Sequence, residues 1–248
     1  MSQKINIVIP LAGTNPLFPK SEFPFSKSLI EIDGKPMIQL SIENLQTIQK
    51  EIHFIFLVNS DDCKSYYLDN VLDLLTENKP TIIKIDHLTK GAACTALLAI
   101  DEIDNNIPLI ISNGDQVIKE DINNILSYFE TYDTGVICTN SVHPRWSYIR
   151  NEGDLVVETA EKRPISKNAI AGFFYFKEGS FFVKSAMRMI KKDANYNGNY
   201  YIASSINELI LDNKKIGYYN IPNEEYECFY SPEKIKEYNN RKNNTSRL

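Results

Sequence analysis

Short, uniformly apolar runs alternate along this chain with longer amphipathic stretches, and this alternation restricts its possible folds more than any other feature. The runs are rich in β-branched residues and cover residues 5–10, 52–58, 81–85 and 107–112. Strands that are apolar on both faces are typical of parallel sheets covered on both sides. A chain that alternates such strands with helices is predicted to form an α/β fold with a mostly parallel sheet.

The stretches between these runs have apolar residues at helical spacing, as expected of the crossover helices of a parallel sheet. They cover residues 37–48, 66–75 and 93–103. After a further strand at 135–140 the pattern changes to two strand-like runs joined at Asn151 to Asp154, where Glu-Gly favours a hairpin turn. A small antiparallel insert is therefore predicted.

The remainder of the chain returns to longer elements. It predicts a strand at 169–176, helices near 181–192 and 201–212, and a short strand at 215–221. The final segment, 239–248, is polar and lacks an apolar face, so we expect a frayed or disordered tail there.

Length, composition and charge limit the classes of function. With 248 residues, of which 43% are hydrophobic, the chain can bury one core, and a single domain over residues 1–248 is expected. The formal net charge is −5 and the basic residues are dispersed. This distribution of charge does not favour nucleic acid or an anionic membrane as a partner. The cysteines form no CxxC pair and are expected to be reduced thiols.

The chain has no segment that predicts membrane insertion or export. No run approaches the ~20 apolar residues of a membrane-spanning helix. The N-terminus lacks the apolar core of a signal peptide. We therefore expect a cytoplasmic protein.

Three loops follow predicted strands at the edge where an open parallel sheet binds its ligands, because helix N-termini converge there. They cover residues 11–27, 86–95 and 112–116. The first contains Ala12-Gly13, whose backbone can approach an anion closely, and then Lys20 and Lys27, which can reach a phosphate as point charges. An ordinary surface loop with two solvated lysines is the alternative.

The second and third loops carry different chemistry. Gly91-Ala92-Ala93 leaves room for a flat ring to lie on the backbone, although small residues also serve close packing of helix and sheet. Asp115 ends an apolar strand within Asn-Gly-Asp-Gln, where a Mg2+ ion bridging phosphates would find a carboxylate. A turn-forming aspartate is the alternative.

Other polar residues have weaker signals. Lys162 and Arg163 end the insert with two cations, suited to a second phosphate or to a solvated strand end. His143 and Trp146 suggest a recognition surface or simple packing. Metal-binding HxxxH, Ser/His/Asp and P-loop patterns are missing from the sequence, so metalloprotease, hydrolase and P-loop ATPase functions are unsupported.

The order of the motifs is more informative than any one of them. From about residue 5 to residue 238 the chain reads IVIPLAG…SKSLIEIDGKPMI, GAACTALLA, NGDQ, WSYIRNEGDLVVETAEKRPIS, AIAGFFYFKEGSFFV and SPEKIKEY. In this order it resembles the sugar-phosphate nucleotidyltransferases, in the branch found with bacterial capsule and surface-polysaccharide genes. The resemblance implies the Rossmann-like, GT-A-like fold of nucleotide-diphospho-sugar transferases, with residues 1–140 as the nucleotide-binding half and 141–238 as the acceptor-binding half.

The resemblance also implies a reaction. Such enzymes join a nucleoside triphosphate to a sugar phosphate or other small phosphorylated acceptor and release pyrophosphate. Because an acceptor oxygen attacks the α-phosphorus in line, catalysis depends mostly on positioning and on neutralisation of charge. Mg2+ is the implied cofactor, the two substrates are the implied partners, and the oligomeric state, including a homo-oligomer, is left open.

Roles for particular residues follow from the resemblance. The implied catalytic residues are Lys27, Asp115 and Lys162. The implied nucleotide-binding residues are Leu11, Ala12, Gly13, Lys20, Gly91 and Ala92. The implied acceptor-binding residues are Lys162, Gly172 and Asn199. Asp115 is the first implied metal ligand. Because Cys228 stands where many relatives have a second carboxylate, Glu227 is the implied second ligand, with Glu225 as the other possibility.

The first loop departs from the family pattern. It reads Gly13 to Leu17 as Gly-Thr-Asn-Pro-Leu, without the arginine that would hold the leaving pyrophosphate, and Pro16 removes an amide donor. Losing such a cationic donor costs about 2.7–4 kcal/mol, and Lys20 lacks the planar fork of arginine. A glycosyltransferase that receives a nucleotide-sugar, and a binding protein that has lost the chemistry, therefore remain as alternatives.

Overall fold

The computed structural model describes residues 4–19, 21–77 and 79–245. The strands are β1 (Lys4–Pro10), β2 (Glu31–Ile32), β3 (Lys35–Pro36), β4 (Glu51–Asn59), β5 (Thr81–Ile85), β6 (Leu109–Ser112), β7 (Gln116–Ile118), β8 (Thr134–Asn140), β9 (Ser147–Glu152), β10 (Leu155–Glu161), β11 (Asn168–Phe176), β12 (Ile216–Asn220) and β13 (Tyr226–Cys228). The helices are α1 (Met37–Leu45), α2 (Ser60–Tyr66), α3 (Leu68–Leu75), α4 (Ala92–Leu97), α5 (Ile100–Ile103), α6 (Ile122–Phe129), α7 (Gly179–Lys191), α8 (Ile202–Leu211) and α9 (Pro232–Thr245).

The molecule is built on one large sheet with the strand order β10-β9-β11-β6-β1-β4-β5. In addition, β8 pairs with β11, and β12 pairs with β8. The strands β6, β1, β4 and β5 are parallel, as are β8 and β12. β11 runs antiparallel to its neighbours, and the β9–β10 hairpin is joined to it. The predicted α/β fold, with a mostly parallel sheet flanked by helices and a small antiparallel insert, is confirmed.

Both faces of the central strands are buried, which explains their uniformly apolar sequences. In β1, Ile7 and Ile9 pack with α1, α3 and α6 on one face, whereas Val8 packs with α4, α7 and α8 on the other. Among the described residues, no helix combines the length and the apolar character that crossing a bilayer requires.

Several helices differ from the predictions. Residues 93–103 form two short helices, because the backbone leaves helical geometry at Ala99 although the apolar spacing continues. α2 precedes the predicted helix at 66–75, and Tyr67, with a φ of 55°, separates it from α3. These breaks depend on backbone angles, to which apolar periodicity is insensitive.

The C-terminal segment is more ordered than its composition predicts. α9 continues to Thr245, so the frayed tail predicted from residue 239 is wrong for 239–245. The ring of Tyr238 packs edge-on against Phe229, with 5.2 Å between the ring centres, and Arg241 forms an ion pair with Glu227. Contacts with β13 therefore hold a helix that has almost no apolar face of its own.

Candidate functional site

The loops after β1 and β6 meet because these two strands are neighbours in the sheet. Lys27 donates a hydrogen bond to the carboxylate of Asp115, so two predicted catalytic residues that are far apart in sequence lie together. Both line a cavity of about 300 Å³, here called the carboxylate cleft. Its walls are Pro10, Leu11, Gly13, Thr14, Asn15, Ser26, Lys27, Ser28, Met37, Asp62, Asn113, Gly114 and Asp115.

The carboxylate cleft contains more negative than positive charge. Asp62, from the first turn of α2, lines the same cleft and accepts a hydrogen bond from the Ser26 hydroxyl at 2.7 Å. Its ionisable side chains are therefore the carboxylates of Asp62 and Asp115 and the ammonium of Lys27. A phosphate group that enters would meet this excess of negative charge, and a bound cation would relieve the repulsion. Asp62 was not predicted from the sequence, although it follows the carboxyl end of β4, where ligand-binding residues are expected.

Close packing beneath Asp115 fixes the third loop. Gly172 lies at an irregular point of β11 with a φ of 62°, and its carbonyl accepts hydrogen bonds from the Asn113 amide and the Gln116 side chain, both at 3.0 Å. A Cβ at this position would come within 2.2 Å of the Asn113 side chain. The structure therefore gives Gly172 a supporting contact with the Asp115 loop, and its predicted role toward the acceptor stays a prediction.

A second cavity, of about 280 Å³, lies on the other side of the first loop and is here called the glycine cleft. Its walls are Pro10, Ala12, Gly13, Thr14, Leu88, Thr89, Gly91, Ala92, Thr95 and Asn199. Most residues predicted to bind the nucleotide thus come together here. Asn199, predicted for the acceptor, also lies on this wall, so the structure places it with the predicted nucleotide residues.

The two clefts adjoin, because Pro10, Gly13 and Thr14 line both. Leu11 faces the carboxylate cleft, and its neighbour Ala12 faces the glycine cleft. The start of the first loop is therefore a wall that the two cavities share.

The first loop is tied to the C-terminal part of the chain. The Asn15 side chain accepts a hydrogen bond from the Leu17 amide at 3.0 Å and donates one to the Tyr230 carbonyl at 3.1 Å. The loop in which the family arginine is missing is therefore held by a neutral amide. Lys20, the predicted substitute for that arginine, lies outside the described residues.

Lys162 has a left-handed backbone conformation directly after β10, with a φ of 51°. Its ammonium lies 3.3 Å from the Tyr201 hydroxyl and 5.1 Å from the centre of that ring. It lines neither cleft, so the structure does not bring it together with Lys27 and Asp115.

Glu161, the residue before Lys162, is a buried carboxyl that accepts a hydrogen bond from the Ser147 hydroxyl. Burial raises its pKa above the ordinary value of 4.5, and the hydrogen bond and the charge of Lys162 offset this only in part. A raised pKa means that the folded state holds the proton more tightly than the unfolded state. The stability that the protonated Glu161 carboxyl contributes is therefore fully present at a pH below its pKa in the unfolded state. It is lost as the pH rises through its pKa in the folded state.

Glu161→Gln is therefore expected to stabilise the protein relative to the wild type at neutral pH and to do so less in acid. Glutamine carries no charge to bury, and it keeps an oxygen that can accept from Ser147. Urea unfolding of both proteins at about pH 4 and about pH 7 measures the difference. A difference in the free energy of unfolding that does not change with pH would contradict this prediction.

Glu227 does not line the carboxylate cleft with Asp115, and its predicted role as a metal ligand stays a prediction. Its carboxylate accepts from Lys119 at 2.8 Å and pairs with Arg241. Successive residues of a strand point in opposite directions, and it is the Cys228 thiol that lies within range of the Asp115 charge. Burial first, and Asp115 second, raise the pKa of that thiol, so it stays protonated and is a poor ligand for Mg2+.

A third cavity, of about 330 Å³, lies between the β8–β9 loop and the region around β13, and is here called the aromatic cavity. Its walls are Thr139, Asn140, Ser141, His143, Arg145, Trp146, Asn223, Glu224, Tyr226, Glu227, Cys228, Tyr230, Lys234 and Arg241. The predicted recognition residues His143 and Trp146 both line it.

One family model matches most of this chain. Residues 19–226 match the family model described as nucleotidyl transferase. The chain belongs to the nucleotidyl transferase family. A curated relative, the bifunctional protein GlmU of Clostridium kluyveri, is 28% identical in an alignment of 236 residues that covers 89% of this chain and 48% of the relative. The chain thus spans about half the length of the curated relatives it matches.

Solved structures of other proteins share the fold of this chain. A nucleoside-diphosphate-sugar pyrophosphorylase from Vibrio cholerae RC9 superposes with a TM-score of 0.82 at 22% identity, over 94% of this chain and 99% of that one. A UDP-glucose pyrophosphorylase in complex with UDP-glucose gives 0.77 at 17% identity, over 99% and 100%. A putative glucose-1-phosphate thymidylyltransferase from Bacillus anthracis gives 0.73 at 16% identity, over 96% and 94%.

Proposed function

We propose that this protein is a nucleotidyltransferase that joins a nucleoside triphosphate to a sugar phosphate or other small phosphorylated acceptor and releases pyrophosphate. The observation that carries the proposal is the contact between Lys27 and Asp115 in a cleft that adjoins the glycine cleft. Membership of the nucleotidyl transferase family supports it. We also propose a role in capsule or surface-polysaccharide biosynthesis, which rests on the resemblance of the motifs alone.

In this proposal the nucleotide bends around the first loop. The base and ribose lie in the glycine cleft beside Gly91 and against Ala92, whose small side chain leaves space for a flat ring. The phosphates pass Gly13 into the carboxylate cleft, where the Lys27 ammonium neutralises part of their charge. An acceptor oxygen then attacks the α-phosphorus, and pyrophosphate leaves on the opposite side.

The proposed cofactor is Mg2+, and the cleft fits it in one specific way. Among the described residues there is no group of three His, Cys, Asp or Glu side chains that would enclose a metal ion. Mg2+ is instead commonly held by one or two carboxylates together with phosphate oxygens and water. Asp115 would supply the carboxylate, and the ion would neutralise the phosphates and the negative excess of the cleft.

The test is release of pyrophosphate from the four common nucleoside triphosphates with a panel of sugar phosphates and polyol phosphates. We expect turnover with at least one pair of substrates in Mg2+ and none in EDTA. Failure with every pair would contradict the proposed function. Thermal stabilisation by a nucleoside diphosphate with metal, but by no triphosphate, would then favour the glycosyltransferase alternative.

A further inference from the structure

Arg145, on the wall of the aromatic cavity, has no acidic partner among the residues that the structure describes. Its guanidinium lies over the Tyr230 ring, 3.7 Å from the ring centre, and its Nε donates a hydrogen bond to Nδ1 of His143 at 3.2 Å. In the described part of the chain, no carboxylate pairs with it and its two terminal nitrogens make no hydrogen bond. Because a guanidinium presents its terminal N–H groups as a planar fork, this pair of donors is suited to a carboxylate or a phosphate.

The loop that carries Arg145 is held in place before any ligand arrives. The His143 amide donates to the Ser141 hydroxyl at 3.2 Å, and the His143 carbonyl accepts from the Tyr148 hydroxyl at 2.6 Å. Nδ1 of His143 accepts hydrogen bonds from both the backbone and the side chain of Arg145, which holds the guanidinium against the imidazole. Ordering the arginine in advance lowers the entropic cost of binding an anion.

Most other charges of the aromatic cavity are already paired; the exception in the described part of the chain is the Glu224 carboxylate, which lies on the cavity wall and forms no ion pair. Glu227 is bound by Lys119 and Arg241. Lys234 forms an ion pair with Glu237, which lies outside the cavity wall. The guanidinium of Arg145 is therefore the cationic group most available to a ligand.

Trp146 provides the apolar part of the cavity. Its indole is half-buried and leans on the rings of Tyr226 and Tyr230, with centre distances of 6.1 Å and 6.2 Å. A ligand with a phosphate on Arg145 can thus lay its carbon skeleton along the indole.

The aromatic cavity is connected to the carboxylate cleft through shared neighbours. The Tyr230 carbonyl accepts from Asn15 of the first loop, while the Tyr230 ring carries Arg145. The Phe229 amide donates to the Asp115 carbonyl at 2.8 Å, next to Cys228 on the cavity wall. Arg145 is thus joined through the Tyr230 ring to a segment that contacts the walls of the carboxylate cleft.

We propose that the aromatic cavity binds a small phosphate monoester, with the phosphate on Arg145 and the carbon skeleton against Trp146. The use of this ligand as the acceptor rests on the proposed function, whereas its binding does not. The site differs from the one implied by Lys162, which lines none of the three cavities and contacts Tyr201 instead.

The only tryptophan of the chain lies in this cavity, so its fluorescence reports on the site directly. The full chain is titrated with inorganic phosphate, glucose 1-phosphate and unphosphorylated glucose, without nucleotide or Mg2+. We expect a saturable change with the two phosphates and none with glucose. Arg145→Gln is expected to weaken phosphate binding by roughly tenfold to a hundredfold. Arg145→Lys is expected to recover only part of the affinity, because it restores charge without the fork.

Arg150→Gln is the matched control, since this arginine lies five residues further along the chain, in β9, but already pairs with Glu152 and Glu158. Thermal melting checks that each variant is folded, and Asp115→Asn is expected to keep the fluorescence response even if it abolishes turnover. No response in the wild type, an unchanged response in Arg145→Gln, or an equal loss in Arg150→Gln would overturn the inference. Pyrophosphate release without the Arg145-dependent response would leave the proposed function standing and remove this site.

Discussion

Asp115→Asn is expected to lower Mg2+-dependent turnover by about 10²- to 10³-fold, the range seen when one preorganised electrostatic group at the reacting centre is removed. The change keeps the shape of the side chain and removes the charge that would hold the cation. In the wild type the Lys27 ammonium pairs with the Asp115 carboxylate, so the substitution also releases Lys27. We therefore expect EDTA to abolish triphosphate binding by the wild type but not by the variant, in which Lys27 is available to the phosphates.

Calorimetric titration of both proteins with the four triphosphates, in Mg2+ and in EDTA, measures this difference. Asp73→Asn makes the same chemical change at an exposed position of α3 and serves as the control. The side chains of Lys27 and Asp115 are 27% and 18% exposed, so their ion pair is partly screened and we expect only a small change in thermal stability. Unchanged Mg2+-dependent turnover in Asp115→Asn would remove the role proposed for this carboxylate.

Gly91→Ala is expected to produce the largest loss of stability of any small substitution at the two clefts. Gly91 has a φ of 101°, which side chains rarely adopt, and a Cβ there would lie 2.5 Å from the Tyr200 carbonyl oxygen and 2.8 Å from the Tyr200 nitrogen. Both are backbone atoms, and the Tyr200 carbonyl also accepts from the Ala93 amide at 3.1 Å in the first turn of α4. We expect a loss of about 2–5 kcal/mol from strain and overlap together.

For a chain of this size the corresponding fall in melting temperature is about 5–15 °C. Gly153→Ala is the matched control, since Gly153 has a φ of 57° but no atom within 4 Å of the added Cβ. The free energy of unfolding of Gly153→Ala should fall only by the cost of the left-handed conformation, about 1–2 kcal/mol. Equal losses in the two variants would show that the contact with Tyr200 does not limit position 91.

The central strands were predictable because their signal is local. β5 has the predicted bounds, and β1 and β4 extend the predicted runs by a residue at one end or at both. The hairpin at 147–161 also follows its predicted turn. α6 was not predicted, although Ile122, Ile125, Leu126 and Phe129 form an apolar face at helical spacing, so in this case the signal was present in the sequence.

The short strands β7 and β13 were not predictable in this way, because three residues are too few to form a recognisable strand pattern. They pair with one another from distant parts of the chain, with Gln116 opposite Cys228. This pairing places the Cys228 thiol near Asp115 and turns Glu227 toward Lys119 and Arg241. Sequence spacing could not distinguish these two outcomes, since a shift of one residue in register exchanges them.

The sequence by itself determined the class of fold and which loops, those of Lys27 and Asp115 among them, follow the carboxyl ends of the parallel strands. It did so because buried strands need apolar residues on both faces, and because the carboxyl ends of neighbouring parallel strands lie at one edge. Only the tertiary structure decided that Asn15 and Arg145 converge on Tyr230, that Asp62 joins the carboxylate cleft and that Asn199 lines the glycine cleft. Those contacts depend on how loops from separate elements pack together, and no local pattern of residues records that arrangement.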